Sequence, residues 1–249
     1  MILKRNYGII IACDVDSLST LSSLVAMSCN DESVVGYKVG FSLSLRFGLK
    51  KVTETVRELT DLPVMYDHQK AGTDIPQMAE LFARCCSESG ISGVIVFPQA
   101  GPETLCAFVK AIIGSTMMPI VGGMMTHPRY LQSDGGFIVN EAPSAIYREA
   151  LNLGATHFVL PGNQPEQVRR YATELLSRGP DAMSLSLLMP GIGSQGGQIK
   201  QAFDAAGGHR CYAIVGSAIY NASDPQGALR EFADQIKSYV QPAKPKEPI

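Results

Sequence analysis

Eight times along the chain a short run rich in valine and isoleucine is followed by a turn signal and then by a stretch with helical spacing of apolar residues. The runs fall near 8–14, 34–39, 63–67, 93–97, 119–123, 156–160, 184–189 and 211–216. A strand buried on both faces reads as a continuous apolar run, and parallel neighbours need a crossover, usually a helix, between them. The alternation therefore predicts βαβ units. Eight such units suit a closed (β/α)₈ TIM barrel of the α/β class, expected as one domain over 1–240. Helices are expected over segments such as 76–89, 103–113, 142–153, 165–177 and 225–239. Several open on proline in the first turn, where its missing N–H is no loss, and stop at Gly90, Gly114, Gly154 or Gly179. Residues 241–249, QPAKPKEPI, carry too little apolar content to fold and are expected to be a disordered tail.

Charge narrows the class of partner. The formal net charge is -2, whereas a surface that binds nucleic acid needs a cationic excess to release counterions. Cys13, Cys29, Cys85, Cys86, Cys106 and Cys211 are scattered through apolar segments, with no CxxC spacing and no histidine at ligand distance, so they read as reduced core residues and no metal site is expected. The amino-terminal apolar run is too short to span a membrane and lacks a signal-peptide pattern. The expected location is cytoplasmic.

In a barrel of this kind the active site lies at the carboxyl ends of the strands, so polar residues that terminate strands carry the information. The first strand ends at Asp14, the second carries Lys38, and the third ends at Asp67 and leads to Lys70 and Asp74. The fifth feeds a loop with Thr126 and His127, the seventh leads into PGIGSQGGQ, and the eighth ends at Gly216 and Ser217. Each alone has a plain structural explanation. Asp14 could cap the following helix, and Asp67 with Lys70 could form a surface ion pair of little consequence. Together they converge on one face. Carboxylates flanking an ammonium favour its protonated form, while their crowding penalises any further negative charge beside them. Such a site destabilises an anionic substrate group held against an acid and stabilises carbanion character near the lysine.

The glycine-rich segment offers backbone N–H groups and close approach to a ligand just ahead of a helix start. A phosphate held by the loops after strands seven and eight recurs in this fold, so Gly191, Gln195, Gly196, Gly197, Gly216 and Ser217 are candidate contacts. The longest irregular stretch, 124–140, is either a lid or binding loop or a solvent-facing connection. His68 points opposite to Asp67 if the strand continues and is expected to pack against helices, and His127 is expected to shape the turn before Pro128.

From about Ile9 to Phe232 the chain resembles the orotidine 5′-phosphate decarboxylases, within the ribulose-phosphate-binding barrels. The resemblance is carried, in order, by ACDVDSL, YKVGFSL, DHQKAGTDIP, MMTHP, PGIGSQGG and IVGSAIY. It implies a cofactor-independent carboxy-lyase that converts orotidine 5′-phosphate to uridine 5′-phosphate and carbon dioxide in de novo pyrimidine biosynthesis. By the same resemblance, Asp14 and Lys38 would bind the ribose hydroxyls and extend the charge network. Asp67 would press on the substrate carboxylate and help hold Lys70, which would protonate the C6 carbanion. Asp74 would reach across a homodimer interface into the partner's site. Thr126 would hydrogen-bond the pyrimidine, and Gln195 would span base and phosphate. Related sugar-phosphate decarboxylases and aldolases usually place a glutamate where Lys38 stands and use magnesium. A cation there repels a metal and favours the metal-free reaction.

Two departures from the family pattern stand out. The family pattern is Asp-x-Lys-x-x-Asp, whereas two residues separate Asp67 from Lys70 here and three separate Lys70 from Asp74. Residues two apart share a face of a strand, so the longer spacing requires a bulge or early turn, which Gly72 could permit. The family also has an arginine after the glycine that ends strand eight, where this chain has Ser217. Arg129 and Arg210 are the candidate replacement cations for a phosphate. The alternative function is a sibling barrel decarboxylase or aldolase acting on another phosphorylated sugar.

Overall fold

The computed structural model describes residues 2–176 and 185–240, with Gln69, Lys70 and Leu176 described by backbone alone. Eight parallel strands close into a barrel in sequence order. They are β1 (Tyr7–Cys13), β2 (Val34–Gly40), β3 (Val64–Ala71), β4 (Gly93–Val96), β5 (Met118–Gly122), β6 (His157–Val159), β7 (Ser186–Met189) and β8 (Arg210–Val215), with β8 pairing back onto β1. All eight runs read from the sequence are strands, with described ends within four residues of those expected. The expected start of the seventh at 184, the helix end at 177, the stop at Gly179 and the tail 241–249 lie outside the described residues.

Helices follow the strands: α1 (Leu18–Ser28), α2 (Phe41–Phe47), α3 (Leu49–Arg57), α4 (Ala79–Glu88), α5 (Pro102–Gly114), α6 (Ala142–Asn152), α7 (Pro165–Leu176), α8 (Ile199–Ala205), α9 (Ser217–Tyr220) and α10 (Pro225–Val240). The segment expected as a helix from 76 begins as a 3₁₀ turn, Pro76–Met78, before α4. Helices α1, α2, α3, α8 and α9 lie outside the segments named from the sequence, and α3 shows why such a helix is hard to read. Its buried face is Val52, Thr53, Thr55 and Val56, β-branched residues that read as strand formers until tertiary packing decides.

Alternation along each strand sorts side chains into two cores. Ile10, Ala12, Met65, Ile95, Ile120, Val159, Leu188, Tyr212 and Ile214 fill the barrel interior, with Leu3 among them. Ile9, Ile11, Cys13, Val64, Val94, Val121, Phe158 and Leu187 face the helices. The six cysteines are free thiols. Burial pushes the Cys13 thiol up to about 12 and the Cys86 thiol up to about 12, which leaves both unreactive.

Two loop features bear on the site. The pairing of β3 with β4 runs Asp67 to Ile95 and then Ala71 to Val96, so residues 68–70 bulge out between consecutive partners on β4. Of the bulge or early turn that the spacing requires, the strand takes the bulge, and Gly72 follows it with φ 88°. The stretch 124–140 is a folded connection, with Tyr130 and Leu131 buried. Leu131 bridges Ile138, Gln132 N–H donates to Ile138 O at 2.8 Å, and Tyr130 Oη donates to Gly123 O at 2.9 Å.

Candidate active site

Register explains how three charged residues meet at the barrel mouth. Ala12, Lys38 and Met65 occupy one layer across β1, β2 and β3, while Asp67 pairs with Gly40 in the layer above, on the side of the carboxyl ends. The Lys38 side chain climbs from the lower layer and places Nζ 3.0 Å from both Oδ1 and Oδ2 of Asp14 and 3.5 Å from Oδ2 of Asp67. Its side chain is 6% exposed, against 41% for Asp14 and 15% for Asp67. Burial by itself lowers the Lys38 pKa, but Asp67 and Asp14 outweigh it, and the group titrates above the ordinary lysine value. Asp14 is not a helix cap: Ser17 Oγ accepts from Thr20 N–H at 3.1 Å and caps α1 itself.

This triad forms one wall of a cavity of about 260 Å³, of small-molecule size. Ile95, Phe97, Val159 and Ile214 make an apolar floor, Met124, Met125 and Thr126 a second wall, and Gly191, Ser194, Gln195, Gly216 and Ser217 a rim rich in peptide and hydroxyl groups. Ser217 Oγ donates to Ser194 Oγ at 2.9 Å. Among the described residues of the lining, Lys38 is the sole cationic side chain.

Of the residues expected from the sequence, Asp14, Lys38, Asp67, Thr126, Gln195, Gly216 and Ser217 line this cavity. Gly191 lines it too, whereas Gly196 and Gly197 do not, Gly196 sitting exposed at φ 86° where it turns the glycine-rich loop. Asp74 is exposed and outside the cavity of its own chain, its Oδ1 accepting from Ile75 N–H at 2.7 Å and its carbonyl from Thr104 Oγ1 at 2.9 Å. The Lys70 side chain lies outside what the structure describes; its backbone is in the bulge that borders Asp67.

The two arginines considered as replacement cations fare differently. Arg210 is not at the site: it is the first residue of β8, buried at the amino-terminal end of the barrel, where after burial itself it helps to depress the pKa of His157, and so stands at the end opposite the mouth. Arg129 is exposed in the loop after β5, with φ 57° and its N–H donating to Asp134 Oδ2. His68 lies with the helices as expected, its ring 5.8 Å from Phe82 and its Nδ1 bonded to Tyr66 Oη. His127 is exposed, with Nδ1 2.9 Å from Pro128 O.

Sequence reasoning missed the apolar floor, because interior and helix-facing positions of these strands are both aliphatic. It also missed Asn163 and Gln164. Asn163 Nδ2 donates to Thr126 O at 3.2 Å, and Gln164 Nε2 donates to Met125 O and Thr126 O, each at 3.3 Å. Among the described residues no group of three or more His, Cys, Asp or Glu is placed to hold a metal ion, and no helix is long and apolar enough to cross a membrane.

A sequence model of the orotidine 5′-phosphate decarboxylase / HUMPS family matches residues 8–232. Orotidine 5′-phosphate decarboxylase of Pyrococcus abyssi is 32% identical over 200 residues, 80% of this chain and 86% of that one. Its counterpart from Methanosarcina mazei is 29% identical over 236 residues, 95% and 98% of the two chains. The crystal structure of orotidine 5′-phosphate decarboxylase from Pyrococcus horikoshii OT3 superposes with a TM-score of 0.75 at 27% identity, over 92% of this chain and 99% of that one. That of orotidine 5′-monophosphate decarboxylase from Methanocaldococcus jannaschii, complexed with the inhibitor BMP, gives 0.78 at 23% identity, over 92% and 98%, a likeness of fold.

Proposed function

The chain belongs to the orotidine 5′-phosphate decarboxylase / HUMPS family, and from that we propose that it decarboxylates orotidine 5′-phosphate to uridine 5′-phosphate and carbon dioxide, a step of pyrimidine biosynthesis. The observation that carries the proposal is Lys38, an ammonium held between two carboxylates at the barrel mouth. Magnesium-dependent sugar-phosphate chemistry needs hard oxygen ligands that a fixed cation at this position would oppose.

In this reading the apolar floor receives the pyrimidine, Thr126 bonds its polar edge, and Asp14 with Lys38 binds the ribose hydroxyls. Gln195, Gly216 and Ser217 bind base edge and phosphate. Asp67 meets the substrate carboxylate, and the repulsion raises the ground state while leaving the transition state, whose charge has moved to C6, less penalised. The C6–carboxyl bond breaks and carbon dioxide leaves. The electron pair stays on C6 and takes a proton from the Lys70 ammonium, which later regains one from solvent. Neither metal nor organic cofactor is assigned. Asp74, exposed on its own chain, is assigned to the partner's site in a cytoplasmic homodimer.

The test is to follow orotidine 5′-phosphate and carbon dioxide with purified protein, with and without chelator. Turnover that withstands the chelator supports the proposal. A folded, dimeric sample that leaves the substrate unchanged contradicts it. A second reading, a sibling decarboxylase or aldolase for another phosphorylated sugar, is favoured by Ser217 and the enlarged bulge; turnover of such a sugar that chelator abolishes would favour it instead.

A further inference from the structure

Met124 to Thr126 and the glycine-rich segment make much of the uncharged half of the cavity wall, and one dipeptide outside the lining touches both. Gln164 opens α7, its carbonyl accepting from Val168 N–H at 3.0 Å, while its side chain turns away from the helix to the backbone oxygens of Met125 and Thr126. Asn163 donates to the same Thr126 carbonyl. On its other side Asn163 is packed against the glycine-rich loop. A Cβ on Gly191 would stand 2.9 Å from Asn163 Oδ1, and one on Gly197 would stand 3.1 Å from Asn163 Cα. Gly162 N–H also donates to Pro190 O at 2.8 Å, which fastens the dipeptide's own loop to the start of that segment.

We infer that Asn163 and Gln164 are positioning residues that seat the Thr126 wall and the glycine-rich rim against one support, so that both close on a ligand in fixed relation. The carbonyls of 125 and 126 sit in a loop rather than a sheet, so these side-chain amides supply bonds that a strand neighbour would otherwise give. Their loss frees the backbone that carries Thr126 while leaving the Lys38 triad, across the cavity, in place. Asn163 and Gln164 need not touch substrate for this.

The inference rests on the decarboxylase reading only for the identity of the ligand, and its test separates the two. Variants Asn163→Ala and Gln164→Met remove the donors, the second keeping side-chain length. Hydrogen exchange is measured on the apo protein. The amides of 123–131 should exchange on the order of tenfold faster in either variant, with the β1 to β3 segments unchanged. With orotidine 5′-phosphate, KM should rise on the order of tenfold while kcat moves less. The loss should largely vanish in a Thr126→Ala background, a non-additivity that general destabilisation does not produce. Unchanged exchange at 123–131, or additive losses with Thr126→Ala, would overturn the inference. Faster exchange there in a protein that does not turn over the nucleotide would sink the decarboxylase reading and keep the support. Should Asn163→Ala fail to fold, Gln164→Met carries the test alone.

Discussion

Gly40 leaves the space that the Asp14 carboxylate occupies: a Cβ at position 40 would lie 2.6 Å from Asp14 Oδ1. Gly40 has φ -109°, a backbone any residue adopts, so the missing side chain and not its conformational freedom is what matters there. Gly40→Ala should therefore fold normally and push Asp14 off Lys38. The expected result is a KM for orotidine 5′-phosphate raised on the order of tenfold, with a melting temperature within a few degrees of the parent. Steady-state kinetics and a thermal melt check both.

Lys38→Met should remove at least about a hundredfold in kcat/KM, as loss of a preorganised charge does. It also has a pH signature. The folded pKa of Lys38 is raised above 10.5, so its contribution to stability is complete below about that pH and is lost as pH climbs through the higher folded value. Denaturant unfolding between pH 8 and 11.5 should show the parent losing stability relative to Lys38→Met only in the upper part of that range.

His157 predicts an effect at the other end of the scale. Burial, and next to it the Arg210 guanidinium, pull its pKa down to about 4 from 6.5. Between those values the unfolded chain binds the proton and the folded one does not, so stability falls as pH drops from 6.5 toward 4 and levels off below. The loss should reach about 3 kcal/mol at most relative to a His157→Gln variant, whose unfolding midpoints across the window measure the difference.

The strands and the charged wall were legible because valine and isoleucine runs set strand positions, and strand ends set the mouth. Asp14, Lys38 and Asp67 stand where that logic places them. Other features have no local signature. Ile95 and Val94 are both aliphatic, yet one faces the cavity and the other the helices, and only register decides which. Arg210 could have been set aside from the sequence, because a residue that opens a strand of a parallel barrel stands at the end away from the mouth. Asn163 and Gln164 act across nearly forty positions of sequence, from 126 to 164, which no motif spans.

If Asp74 completes the partner's site, two dead variants should rescue each other. Lys70→Ala and Asp74→Ala homodimers are each expected to be inactive. Subunits mixed in equal amounts and allowed to exchange should recover about a quarter of parent activity, since half the dimers then hold one intact site. Recovery that fails in a mixture shown to contain heterodimers would place Asp74 in its own chain's chemistry or outside it.

The ammonium of Lys70 is assigned as the proton source at C6. Turnover of orotidine 5′-phosphate in deuterated water, by the parent and by Lys70→Ala, tests it most directly. The parent should release carbon dioxide and uridine 5′-phosphate labelled with deuterium at C6, and Lys70→Ala should lose at least about a thousandfold in kcat while still binding uridine 5′-phosphate. A Lys70→Ala variant that turns over within tenfold of the parent would rule out Lys70 as that proton source.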